Sequence, residues 1–284
     1  MIVDAHHHLW RIAGGYSWLD EASLAPIRRD FGVDDLHDAV AGTGVERTVL
    51  VEAARCDAAE VREHLAAADA CARIGGVVGW ADLTDPALAD TLGRHRDEPG
   101  GRWLVGIRDQ VQGRTDPDFL ARAEVHRGLS TVAAAGLAYD LVVRVDQLPA
   151  AATAALAVPQ LRFVLDHLGK PRIRDGAAGL AQWRAAVTPL AAASNVSAKL
   201  SGLVTEADWA HWTVADLRPF VLAALELFGP HRLMFGSDWP VCLLAASYDR
   251  VLAALGEVVD DHLNADERAA VYGGTATRVY GLEH

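Results

Sequence analysis

Eight short apolar segments, each followed by a stretch of helical patterning, recur along the 284-residue chain at spacings mostly between 25 and 40 residues. They fall at 2–8, 47–52, 74–80, 103–107, 138–143, 161–167, 195–200 and 232–238. This rhythm makes the strands parallel, because each helix carries the chain back before the next strand begins. Two layouts satisfy it, an open doubly wound sheet and a closed barrel. The open sheet usually carries a Gly-rich phosphate loop after its first strand, and no GxGxxG occurs here. The count of eight, and a polar residue at nearly every strand end, favour the α/β class as a single (β/α)8 TIM barrel. The domain is expected over 1–281, with Leu282-Glu283-His284 read as a vector-derived tail.

Helices are expected at about 34–40, 57–72, 146–156, 180–193, 216–228, 247–259 and 265–272. Residues 11–32 are irregular and rich in Gly, Trp and Arg, and loops of that length are often functional. A net charge of −12 speaks against a nucleic-acid surface, which needs clustered Lys and Arg. No apolar run reaches the ~20 residues of a membrane span, and no signal peptide is read at the start. Cys56, Cys71 and Cys242 form no CxxC pair, which suits a reducing, cytoplasmic setting. Monomer and homo-oligomer both stay open.

In a barrel the catalytic groups sit at the C-terminal ends of the strands. Those ends supply His6 and His8, Glu52, Arg108, Asp140, His167, Lys199 and Asp238. In the first strand, Ile2-Val3-Asp4-Ala5-His6-His7-His8, alternation sends His6 and His8 to one face and His7 to the other. Two imidazoles on one face can ligate a metal or polarise a carbonyl. Asp238, in Gly236-Ser237-Asp238-Trp239-Pro240, can take a proton from water and hand it to a leaving oxygen. Arg108 and Lys199 suit a hydroxylated or anionic substrate, with Asp140, Trp10, Trp18 and Trp239 shaping its pocket. Glu52 reads equally as an extra ligand or as an arginine's partner, and Asp166 as a loop anchor in the wall. His37, His64, His95, His126, His211, His231 and His262 are expected to be solvated. No GxSxG is present, so activated water is the favoured nucleophile.

Five motifs in order, Asp4-Ala5-His6-His7-His8-Leu9-Trp10, Gly106-Ile107-Arg108, Asp166-His167-Leu168-Gly169-Lys170-Pro171, Lys199-Leu200-Ser201-Gly202-Leu203 and Gly236-Ser237-Asp238-Trp239-Pro240, resemble the amidohydrolase superfamily. More narrowly, they are similar to its amidohydrolase-2 branch of sugar-lactone hydrolases, of the L-fuconolactonase and L-rhamnonolactonase kind. The resemblance implies an enzyme opening an aldonolactone with Asp238 as general base and His6, His8 and His167 around the reacting carbonyl. It implies one divalent ion, zinc, on His6, His8, His167 and Asp238, with Glu52 as an extra ligand; metal-independent catalysis is the alternative within the branch. A binuclear centre is not expected, because the fourth strand ends in Arg108 rather than a bridging lysine. The branch commonly has histidine where this chain has Asp109, which bears on substrate identity and metal affinity. Two other functions remain open: a metal-dependent non-oxidative decarboxylase of the same branch, and a catalytically silent sugar-acid binder.

Overall fold

The structure is a computed structural model describing residues 1–282. Its eight strands are β1 (Ile2–His7), β2 (Val45–Val51), β3 (Ile74–Trp80), β4 (Leu104–Asp109), β5 (Ala138–Leu141), β6 (Arg162–Leu165), β7 (Val196–Leu200) and β8 (Leu233–Phe235). They pair in sequence order and all in parallel, as the alternation requires. The main crossover helices are α1 (Val33–Val40), α2 (Ala58–Ala70), α3 (Leu88–Asp97), α4 (Ala123–Ala134), α5 (Leu148–Ala157), α6 (Gly176–Ala191), α7 (Val214–Phe228) and α8 (Tyr248–Val259). Among the described residues no helix is long and apolar enough to cross a membrane.

Strand residues divide by face. Leu50, Val77, Ile107, Phe163 and Phe235 belong to the large apolar cluster shared with the helices. Val49, Val78, Ala138, Val164 and Met234 belong to a second, inner cluster. Parallel strands buried on both faces read as near-continuous apolar runs, which is why their strand signal is short and strong.

β8 is only three residues long, so the seam between β1 and β8 is sewn just beyond it. Asp238 N donates to His6 O at 2.8 Å, and His8 N donates to Trp239 O at 2.7 Å. Asp4 adds a side-chain clasp. Its Oδ1 accepts from His6 N (3.0 Å) and Ser237 N (2.8 Å), and its Oδ2 accepts from Ser237 Oγ (2.6 Å) and the Tyr248 hydroxyl (2.8 Å). The seam therefore fixes the first- and eighth-strand site residues relative to each other.

The chain ends with a short helix α9 (Ala265–Ala269), a π-helical turn (Ala270–Gly274) and α10 (Thr275–Tyr280). Val279, Tyr280 and Leu282 join the inner cluster. Leu282, expected to begin a tail, is buried. Glu283 and His284 lie outside the described residues.

Candidate active site

His6 and His8 project together as the alternation dictates, with their Nε2 atoms 3.1 Å apart. His7 is buried, and among the described residues neither of its ring nitrogens has a hydrogen-bond partner. His167 follows β6 and Asp238 follows β8. Asp238 Oδ1 lies 3.7 Å from His6 Nε2, 3.6 Å from His8 Nε2 and 3.8 Å from His167 Nε2. Two of the four residues sit in strained backbone, with φ of +53° at His167 and +58° at Asp238. For a non-glycine residue this costs about 1–2 kcal/mol, and such strain persists where the surroundings over-determine it.

The donor set fits one divalent ion. His8 Nδ1 lies 2.9 Å from the Val51 carbonyl, which can only accept, so Nδ1 carries the proton and Nε2 presents a lone pair. In that tautomer the lone pair faces a carboxylate oxygen at 3.6 Å, an arrangement that suits a shared cation. The three edges of the His6, His8, Asp238 triangle are 3.1, 3.6 and 3.7 Å. Ligand atoms around tetrahedral zinc are about 3.4 Å apart. His6, His8 and Asp238 can therefore hold a metal ion.

A second group, His6, Asp166 and His167, also has ligand-like spacing. It already contains a cation. Lys199 Nζ lies 2.9 Å from Asp166 Oδ1, 3.1 Å from His6 Nδ1 and 2.5 Å from Asp140 Oδ2. Arg108 runs alongside, its Nε 2.5 Å from Glu52 Oε1 and its Nη1 3.0 Å from Asp166 Oδ2. The formal charges of Glu52, Asp140, Asp166 and Asp238 against Arg108 and Lys199 leave two negative charges, which one divalent ion balances.

The surroundings set the protonation states. Burial pushes His6 well below its ordinary range and His167 down to about 4, so both imidazoles are neutral at pH 7. Burial would raise Asp238, but His167 and His8 outweigh it and hold the carboxyl below 3.8. Burial likewise opposes ionisation of Asp166, which Lys199, His6 and Arg108 overcome. At Asp140 burial prevails over the Lys199 contact, and the carboxyl is pushed up to about 6.

Over this centre opens a cavity of about 350 Å³. His8, His167, Asp238 and Arg108 line it, together with Trp18, Gln110, Gln112 and Lys170. Several expected substrate contacts lie elsewhere. Lys199 and Asp140 are fully buried beneath His6, with Asp140 also accepting from the Tyr280 hydroxyl at 2.8 Å. They support the site from below rather than touch its cavity. Trp10 is buried against Tyr16, Trp18 and Phe31, and Trp239 against Phe31. Glu52 is engaged by Arg108, Gln110 and Ala54 N, and stands outside both metal-spaced groups. Asp166 anchors no loop; it joins Arg108 to Lys199. Asp109 is turned aside, accepting from Gln110 N and Arg114. His64 and His95 are buried, not solvated.

Trp18 is oriented by its Nε1, which donates to Ala53 O at 2.8 Å. Gln110, Gln112 and Lys170 were not anticipated. The glutamines stand two and four positions after Arg108, beyond the strand-end rule. Lys170 lies inside a quoted motif, three residues after His167.

A family model described as amidohydrolase matches residues 3–282. The chain is 42% identical to an L-fucono-1,5-lactonase of Burkholderia multivorans, over 99% of this chain and 96% of that protein. It is 37% identical to an L-fucono-1,5-lactonase of Burkholderia ambifaria, again over 99% and 96%. Among solved structures, an amidohydrolase from Burkholderia multivorans with bound zinc superposes with a TM-score of 0.93 at 39% identity, covering 99% of both chains. With a barrel matched over nearly its whole length and a site built from its strand ends, the chain belongs to the amidohydrolase family.

Proposed function

We propose that the protein hydrolyses a sugar-acid lactone of the L-fucono-1,5-lactone class, with one zinc ion held by His6, His8 and Asp238. The observation that carries this reading is the convergence of His6, His8, His167 and Asp238 at a cavity whose other lining sets Gln110, Gln112, Lys170 and Arg108 among Trp18, Val142 and Val241. Amide donors and acceptors match the hydroxyls of a sugar acid, and the similarity to two L-fucono-1,5-lactonases supports that substrate. Zinc there supplies Lewis acidity toward the lactone carbonyl and acidifies water.

The chain's own groups perform the proton transfers. Asp238 takes a proton from water as the water oxygen bonds to the carbonyl carbon. The ring C–O bond then breaks, and Asp238 returns the proton to the departing ring oxygen. Asp238 Oδ1 faces the histidines, while Oδ2 lies on the Gly202 side and is the oxygen assigned to the proton. His167 is oriented by its Nδ1 contact with Ser201 Oγ at 2.8 Å, which aims Nε2 at the reacting centre. His8 Nδ1–H, tied to Val51 O, does the same for His8.

A panel of aldonolactones, including L-fucono- and L-rhamnono-lactone, assayed near neutral pH with an indicator tests the reading. Turnover of at least one lactone is expected, and Asp238→Asn should lower it about 10²–10⁴-fold while substrate still binds, with the zinc content of both proteins measured. No hydrolysis of any lactone by the zinc-loaded protein would overturn the substrate class. Wild-type turnover in Asp238→Asn would overturn the assigned base.

A further inference from the structure

We propose that Lys170 is a catalytic residue of this site, contacting the substrate and holding the carboxylate that ring opening creates. The inference rests on the lactone-hydrolase reading of the same cavity.

The first support is the backbone. After β6 the chain runs through four successive left-handed residues, with φ of +53° at His167, +53° at Leu168, +74° at Gly169 and +55° at Lys170. Three of the four carry a Cβ, so this is not a turn that the residue types choose for themselves. It is imposed from outside. Trp183 Nε1 donates to Leu168 O at 2.6 Å, and Lys170 N donates to His167 O at 2.9 Å. Leu148 packs so closely on Gly169 that an added Cβ would lie 2.8 Å from its Cδ2. A turn with an i to i+3 hydrogen bond brings residues three apart onto one side. Here those residues are His167 and Lys170, and both line the cavity.

The second support is the state of the site's cations. Arg108 and Lys199 are committed to carboxylates at 2.5–3.0 Å. Lys170 Nζ has Glu206 Oε1 at 3.9 Å, too far for a hydrogen bond, and its side chain is 29% exposed. Among the described residues it is the cavity-lining cation whose donors remain available.

The third support is the charge balance of the reaction. A neutral lactone and water become a hydroxy acid, which loses a proton to give a carboxylate. That negative charge arises next to the Asp238 carboxylate. Arg108 and Lys199 are already neutralised by their partners, so Lys170 is the cavity's side-chain cation left to receive it. An ammonium on a flexible stem can follow the carbonyl oxygen as it becomes a carboxylate oxygen.

The test compares wild type with Lys170→Met and Lys170→Arg, all zinc-loaded, on the best lactone from the panel. The aldonate product and the matching neutral alditol serve as inhibitors. A charged hydrogen bond lost to water exposure predicts that Lys170→Met weakens aldonate inhibition about 10- to 100-fold and lowers kcat by a similar factor. Alditol inhibition should stay near the wild-type value, and Lys170→Arg should recover part of both losses. A merely structural lysine would move aldonate and alditol together. Wild-type aldonate inhibition and kcat in Lys170→Met would overturn the proposal while leaving the hydrolase reading intact. A wild-type protein that opens no lactone would overturn the hydrolase reading, and this inference with it.

Discussion

Gly202→Ala measures how finely the site is held. Gly202 follows β7 with φ of +63°, a backbone region in which an alanine costs about 1–2 kcal/mol. The larger effect is steric. A Cβ at this position would lie 2.5 Å from His167 Nδ1, 2.8 Å from His167 Cγ and 3.1 Å from Asp238 Oδ2. Ordinary contact begins near 3.4 Å. His167 would have to retreat by almost 1 Å, which breaks its 2.8 Å bond to Ser201 and turns Nε2 away from Asp238. Misplacement of that size costs about 10²-fold in rate. The expected outcome is a fall in kcat of about 100-fold together with a few degrees in thermal midpoint. Gly136→Ala is the control, because Gly136 has φ of +71° but nothing within 4 Å of an added Cβ. The control should share the loss of stability and keep full turnover. If Gly202→Ala is as active as Gly136→Ala, His167 does not depend on this close approach and its assigned position is wrong.

Metal analysis after equilibration with zinc and desalting should give one equivalent per chain, since Lys199 already fills the second group; two equivalents in the wild type would contradict this. Arg108→Met strands the buried carboxylates Glu52 and Asp166, so chemical unfolding should show a loss of about 3–5 kcal/mol; a loss below ~1 would mean the pair is solvated. His64 is held at about 4 by burial, below the 6.5 of an unfolded histidine, so the unfolded chain takes up this proton first. Its contribution is therefore complete above pH 6.5 and lost as pH falls toward 4, at about 1.4 kcal/mol per pH unit. His64→Gln should flatten the stability profile in that window, and an unchanged slope would count against it.

Fold and site were legible in the sequence to different depths. The eightfold rhythm is a property of local pattern, and each strand carries it independently, so a boundary error of a residue or two does not disturb the architecture. β4 illustrates this: it extends through Arg108 and Asp109, two residues beyond the apolar run, because polar side chains at a barrel mouth need not interrupt the ladder. His6, His8, His167 and Asp238 were found by the same rule, as chemically capable groups at strand ends. The C-terminal α10 was not found, because its six residues, Thr275–Tyr280, are too few to show a period.

Position along the barrel axis is what the sequence could not express. Lys199 and Arg108 both stand at strand ends and both carry a cation, yet one is sealed beneath His6 and the other borders the cavity. The difference comes from partners distant in sequence: Asp140 and Asp166 draw the Lys199 ammonium inward, and Glu52 draws Arg108 sideways. No local pattern encodes such pairings, since each depends on the stagger of two strands. Lys170 is the converse case. It lies past the strand end, in a left-handed turn that its own residue types disfavour, held by the Trp183 hydrogen bond to Leu168 O, by Lys170 N donating to His167 O and by Leu148 packed on Gly169. A rule that reads strand ends therefore selects the buried lysine and passes over the exposed one. Yet burial between two carboxylates leaves Lys199 no proton donor for a ligand, while the long 3.9 Å approach to Glu206 leaves Lys170 all of its own. In a site this rich in charge, the cation available to substrate is the one whose carboxylate partner stays beyond hydrogen-bond distance.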